Sequence, residues 1–330
     1  MKIGIEIDER EIDRILSIIN KIEKEKLFNL LISLLEKNIS SSDLLFMILE
    51  ILERKEIVSG KRGEIILHKK IGNKIRGEIK DEILRQVKKI KKLFVTPLEV
   101  SKFYLCPRRL WLEKVVLAKQ EKEERGKIWD GEAVHSAARI LFQELPKYDL
   151  REIVKKVFKN YEGKLTISEH QLIEFLKSLV NFIEEERVDK IFPEKFLRSF
   201  RIGIVGVPDG IIVKGNEIFP LDIKLGAAKK LRKEHILQSI GEALLVQEFF
   251  RKDIQKSFLI YFTSNSVVEL KFNHRMKRNF INYKRRIERI FASQLIPRTS
   301  KLSNFKKRVC QGCHVRKVCE QIETLRKLFR

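Results

Sequence analysis

Apolar residues recur at helical spacing from the start of the chain. Ile12, Ile15, Leu16, Ile19, Ile22, Leu27, Leu30, Leu31 and Leu34 predict one or two amphipathic helices over 9–37. Ser42 is placed to cap a further helix that runs to Arg54. Gly60 and Gly63 bracket a turn, residues 64–71 read as a short hairpin strand, and a lysine-rich helical connector follows over 79–93. Helix, helix and hairpin in that order suit a winged-helix-like module. A helical extension packed on a main domain suits the pattern equally. Residues 1–94 are therefore read as a mainly helical N-terminal extension and 95–330 as the main domain.

Thr96-Pro97-Leu98-Glu99 is a helix start: Thr96 caps, Pro97 takes the first helical position and Glu99 reaches back. That helix delivers Cys106 and is expected to stop at Pro107. Helices are predicted over 122–143, 148–159 and 166–186. The period then changes from helical to alternating, which predicts adjacent strands at 200–205, 210–213 and 217–224 with tight turns at 208–210 and 215–216. A helix over 231–250, strands near 257–263 and 266–272, and a long basic helix over 274–291 complete the reading.

Composition adds a partner. The 330 residues hold 69 Lys and Arg against 45 Asp and Glu, a formal charge of +24, and such a surplus favours a polyanion. Residues 1–94 hold 21 basic and 16 acidic residues, so +19 of the total falls on the rest. Lys229, Lys230, Arg232 and Lys233 are candidate phosphate contacts, and solvated helix-end charge is an equal reading of them. No apolar run approaches the roughly 20 residues that span a bilayer. The protein is expected to be cytoplasmic.

The strongest catalytic pattern lies between Gly206 and Lys224. Asp209 follows Gly206-Val207-Pro208 at a strand turn, and Asp222-Ile223-Lys224 ends an apolar strand. Residues two apart on a strand share a face, so Asp222 and Lys224 point together while Ile223 enters the core. Two carboxylates joined by a hairpin suit a hard divalent ion, and the lysine can orient the attacking water. Gln238 lies on the helix that follows. His135 sits on a helix with Gly131 four residues back, where a glycine allows close approach. Alone, a single helical histidine reads as structural, and His68, His170, His235, His274 and His314 read as surface or structural.

All four cysteines enter one pattern: Cys106, then Cys310-x2-Cys313-x5-Cys319. A chain that spends every cysteine so is read as binding metal rather than forming disulfides. Tetrathiolate sites suit zinc or an iron–sulfur cluster, and this spacing is unlike a compact zinc ribbon.

Taken in order, these motifs resemble the RecB-like nuclease plan with an iron–sulfur cluster, and within it the CRISPR-associated RecB-like exonucleases. Cys106, Gly-x3-His ending at His135, Gly-x2-Asp ending at Asp209, Asp222-x-Lys224, the Gln238 helix and Cys-x2-Cys-x5-Cys carry the likeness. So do 95–112 (VTPLEVSKFYLCPRRLWL), 203–226, 258–263 and Ile296-Pro297. The resemblance implies an α/β fold: a restriction-endonuclease-like PD-(D/E)XK core, a mixed sheet flanked by helices. It implies Mg²⁺ or Mn²⁺ held by His135, Asp209, Asp222 and the backbone carbonyl of Ile223, with Asp209, Asp222, Lys224 and Gln238 catalytic. It further implies a 4Fe–4S cluster on Cys106, Cys310, Cys313 and Cys319. The implied substrate is single-stranded DNA, often cut from an end, in trimming and selecting new spacers beside the CRISPR integrase complex. Self-association is left open.

Two departures stand out. The family's Gln-x3-Tyr becomes Gln238-x3-Glu242, and residues 1–94 exceed the usual family length. Other readings are a nuclease of repair, recombination or a virus, and a non-catalytic DNA-binding scaffold of the same fold.

Overall fold

A computed structural model describes residues 8–61, 64–88, 93–115, 126–228, 231–293, 295–297 and 310–328. The extension begins with α1 (Glu9–Ile19), whose Asp8 cap accepts from the Arg10 N–H. It continues with β1 (Lys24–Lys26), α2 (Leu27–Glu36), α3 (Ser42–Arg54), β2 (Val58–Lys61), β3 (Glu64–Leu67) and α4 (Asn73–Lys88). The cap of α3 is Ser41, one residue before the expected Ser42. The three strands form an antiparallel sheet in the order β1-β3-β2. Strand β1 interrupts the long helical pattern where residues 23–26 offer no apolar side chain to a helical face, and it pairs with β3 instead.

The main domain opens with α5 (Pro97–Leu105), closed by the full Thr96–Glu99 capping box. The helix does end at Cys106, but Pro107 does not end helical structure. It starts α6 (Pro107–Val115), since proline lacks only an N–H that the first turn leaves unused. Then come α7 (Gly126–Glu144), α8 (Leu150–Asn160) and α9 (Glu169–Glu185). The strands are β4 (Lys190–Pro193), β5 (Leu197–Ser199), β6 (Ile204–Gly206), β7 (Gly210–Lys214) and β8 (Glu217–Lys224). The strand expected over 200–205 is divided: residues 200–203 form a turn, with Gly203 at φ +64°, that joins β5 to β6. After α10 (Lys233–Phe250) come β9 (Lys256–Tyr261), β10 (Ser266–Lys271), α11 (His274–Ser293) and α12 (Arg316–Leu328).

The main sheet has the order β10-β9-β8-β7-β4, and only β8 and β9 run parallel. A parallel step needs a crossover, and α10 supplies it. Alternation along β8 divides its two faces. Phe219, Leu221 and Ile223 join an apolar cluster with α7, α8 and α9. Ile218 faces a second cluster that includes Leu237, Ile240 and Leu244 of α10. Asp222 and Lys224 share the parity of Ile218, so they are delivered to the α10 side.

That second cluster runs without interruption into the extension, where Ile12, Leu31, Leu45 and Ile48 are buried with Leu197, Phe200 and Phe250. Polar contacts fix the joint. Asp43 accepts from the Phe200 N–H at 2.6 Å and pairs with Arg251 at 2.6 Å. Buried Glu11 accepts from the Ser40 N–H and hydroxyl and pairs with Arg198.

Candidate active site

A tight turn at Gly215, φ +57°, closes the β7–β8 hairpin. Its ladder pairs Gly210 with Leu221, so one further step brings Asp209 level with Asp222. The Ile223 N–H donates to Asp209 Oδ2 at 2.6 Å and locks that register. On the other oxygen, His135 Nδ1 lies 3.1 Å from Asp209 Oδ1. Helix α7 thus reaches the sheet edge with the one histidine singled out in the sequence. No backbone or side chain of the protein makes the close approach at Gly131, since a Cβ there would meet nothing within 4 Å.

On the α10 side, Lys224 Nζ donates to Asp222 Oδ1 and to Gln238 Oε1, both at 2.9 Å, and lies 2.7 Å from Asp222 Oδ2. The Gln238 amide nitrogen donates to Asp222 Oδ1 at 3.1 Å and to Glu242 Oε1 at 3.0 Å. His135, Asp209, Asp222, Lys224 and Gln238 therefore meet in one place. Glu242, marked in the sequence only as a departure, completes the cluster from one turn further along α10.

The electrostatics are those of a buried acid cluster sharing one cation. Burial, helped by the Asp209 charge, pushes the Asp222 carboxyl up to about 7 despite Lys224. Glu242 is raised well above the usual carboxylate range by burial and then by Asp222. Burial also acts to raise Asp209, but the His135 hydrogen bond, the Ile223 N–H and Lys224 hold it below its ordinary value. Burial opposes the charged forms of Lys224 and His135, yet their carboxylate partners leave both raised. Lys224 is thus an ammonium throughout the neutral range.

The donor chemistry fits a hard divalent cation. Asp222 is 2% exposed, and its Oδ2, ion-paired with Lys224, receives no well-directed hydrogen bond. A buried oxygen in that state has acceptor capacity left for a further cation. Facing carboxylates and an imidazole are donors that Mg²⁺ or Mn²⁺ accepts. Among the described residues, no three His, Cys, Asp or Glu side chains converge as a ready ligand cage. Protein partners hold the donors instead.

His235, read as surface or structural, is half-buried, with Nδ1 3.1 Å from the Tyr261 hydroxyl. Tyr261 pairs with Lys224 across β8 and β9. Burial and then the Lys224 and Arg232 charges push His235 down to about 4. Its place three residues before Gln238 on one helix was the available signal. Lys229 and Lys230 lie outside the described residues.

Cys106, Cys313 and Cys319 are free thiols. Cys106 caps α5, while Cys313 and Cys319 pack beside Trp111, Leu112 and Val315 in a small cluster between α6 and α12. Arg108, 1% exposed, donates to the Pro297 carbonyl at 2.8 Å, lies 3.7 Å from Cys319 Sγ and pairs with Glu323. Burial, with Cys106 and Cys310 as neighbours, pushes the Cys313 thiol up. Arg108 fastens the C-terminal segment to α6, a role that no sequence pattern announced.

No curated protein matches the sequence. A family model described as the PD-(D/E)XK nuclease superfamily matches residues 95–320. That span contains the hairpin, the α7 histidine, the α10 glutamine and all four cysteines, and it covers well over half of the chain. The chain belongs to the PD-(D/E)XK nuclease superfamily.

Proposed function

We propose that the protein is a metal-dependent deoxyribonuclease that hydrolyses phosphodiester bonds in single-stranded DNA, often from an end, during the trimming and selection of CRISPR spacers. The observation that carries the nuclease reading is the interlocked set His135, Asp209, Asp222, Lys224 and Gln238, with a buried Asp222 oxygen that no well-directed donor satisfies. The CRISPR assignment rests on the ordered resemblance of the motifs and would place the enzyme beside the integrase complex.

Asp209, Asp222, His135 and the Ile223 carbonyl would hold Mg²⁺ or Mn²⁺, which supplies Lewis-acid stabilisation of the phosphate and a more acidic water. Lys224, fixed by Asp222 and Gln238 and kept charged, donates hydrogen bonds from Nζ to the attacking water or a phosphate oxygen. As an ammonium it stabilises developing negative charge rather than accepting a proton. Gln238 orients Lys224 through its carbonyl and Asp222 through its amide. His135 keeps Asp209 aligned.

Cys106, Cys310, Cys313 and Cys319 would hold a 4Fe–4S cluster. The reading is supported by the thiols of Cys106, Cys313 and Cys319 on segments that Arg108 and the Trp111 cluster fasten together. The extension is read as winged-helix-like, since its elements run helix, strand, helix, helix, strand, strand with β3 central. In helix-turn-helix proteins the second helix of the motif enters the DNA groove. Here α3 spends that face on the nuclease core, so the module is assigned to docking rather than base reading.

The test uses anaerobically purified protein with single-stranded DNA labelled at either end, in Mn²⁺ or EDTA, beside Asp222→Ala. Metal-dependent degradation by the wild type and none by the variant is expected. Binding without cutting under every metal overturns the nuclease reading and favours a scaffold. Iron and sulfide in the purified protein, lost in Cys313→Ala, test the cluster.

A further inference from the structure

Strands β4 and β5 face β7 and β6 in one continuous register. Pro193 pairs with Gly210 and Leu197 with Gly206, so the same alignment runs through both pairings. Between them the ribbon breaks. Glu194 takes φ +45°, its N–H still donates to the Asp209 carbonyl at 3.2 Å, and Asp209 occupies the far side of the break. Arg139, one turn beyond His135 on α7, donates to the Glu194 carboxylate at 3.0 Å and fixes the corner.

The register puts Phe196 opposite Val207, two residues from Asp209. Phe196 and Val207 are 49% and 48% exposed, two of the six large exposed hydrophobics among the described residues. Phe196 also rims a cleft of about 480 Å³ between the extension and the nuclease core. Exposed apolar side chains gathered on one lip mark a binding surface.

We propose that Phe196 and Val207 form an apolar lip that stacks against unpaired nucleobases beside the scissile phosphate. The inference rests on the nuclease reading for what passes Asp209. Two strand residues span about 7 Å, so a polynucleotide held at Asp209 brings a neighbouring base over the lip. The excess of +19 on residues 95–330 suits that polyanion. In a duplex the bases are stacked inward and the lip would meet only sugar and phosphate. Unpaired bases present apolar faces to such side chains, with no need of a particular sequence. The lip therefore selects for single strands.

Binding of the full chain in EDTA to a fluorescent thymidine oligonucleotide and to its abasic analogue of equal length tests this without using catalysis. The wild type is expected to prefer the base-bearing strand by about fivefold or more, the low end for one stacked base. Phe196→Ser and Phe196→Ser/Val207→Ser should lose that preference while keeping abasic affinity and the thermal melt, and Phe196→Tyr should keep it. Retention of the preference in the double variant overturns the proposal. So does equal weakening on both strands, or a change of particle mass in solution that makes the lip a contact between copies. A wild type that shows the preference but never cuts refutes the nuclease reading alone.

Discussion

Gly241 sits at the seam where α10 crosses α5 and α11. A Cβ there would lie 2.6 Å from Cε2 and Cζ of Phe280 and 2.8 Å from Cβ of Pro97. Carbon atoms rest about 3.5–4.0 Å apart, so Gly241→Ala forces a displacement of about 1 Å. Phe280 is fully buried, so its ring cannot turn into solvent. Overpacking of this kind costs about 1–3 kcal/mol, and contact on two sides argues for the upper end. Helix propensity acts in the opposite direction by about 1 kcal/mol. The net expectation is a loss of about 2 kcal/mol. With an unfolding entropy of about 0.7 kcal/mol/K for 330 residues, the melting temperature should fall by about 3 °C. Urea unfolding and thermal melts both read this. Gly241 lies between Gln238 and Glu242, so cleavage should slow as well, by up to about a hundredfold if the full displacement reaches Gln238. Phe280→Leu in the Gly241→Ala background should recover part of both losses. A Gly241→Ala protein as stable as the wild type, or more stable, refutes the packing argument, because propensity alone predicts that sign.

Three further outcomes follow from the site. Asp222 is raised to about 7 from an ordinary value near 4, so the native metal-free protein keeps a proton that the unfolded chain has released. That stabilisation is complete below about pH 4 and is lost as pH rises through about 7. Metal-free protein should melt lower at pH 8 than at pH 6, Asp222→Asn should flatten the trend, and Mn²⁺ should raise the pH 8 melt. Burial favours the neutral form of Glu242, so Glu242→Gln should leave the pH 7 melt nearly unchanged. Glu242→Ala should lose about 1–3 kcal/mol by stranding the Gln238 amide, and equal losses in the two variants would refute a neutral Glu242. Cys313→Ala should lower the melting temperature of anaerobically prepared protein, since a clip closing about 200 residues is worth roughly 5 kcal/mol by the chain-closure model. An unchanged melt counts against the clip.

The geometry at β8 was legible because strand alternation is a strict rule. Once 217–224 reads as a strand, Asp222 and Lys224 must share a face, and the hairpin turn at Gly215 brings Asp209 level with them. The Thr96 capping box was equally plain, being local chemistry. What could not be read was whatever depends on two distant segments meeting. Strand β4 carries no alternating pattern long enough to announce it, and its pairing with β7 is set by the sheet rather than by Lys190 to Pro193 themselves. Helix α6 was hidden by treating Pro107 as an end when it is a beginning. Glu242 was visible as an oddity, but its burial against Gln238 depends on how α10 lies across β8. Arg108 reads as one basic residue among 69 Lys and Arg until Pro297 and Glu323 are seen around it.

The shared core of the extension and the sheet sets the unit of folding. The family likeness begins at residue 95, but a chain cut there would bare Leu197, Phe200, Phe250 and Ile254, whose covering includes α1, α2 and α3. It would also leave Arg251 without Asp43 and the Phe200 N–H without its acceptor. The two parts should therefore unfold in a single cooperative transition. The smallest autonomous nuclease in this protein is longer than the stretch by which its ancestry is recognised.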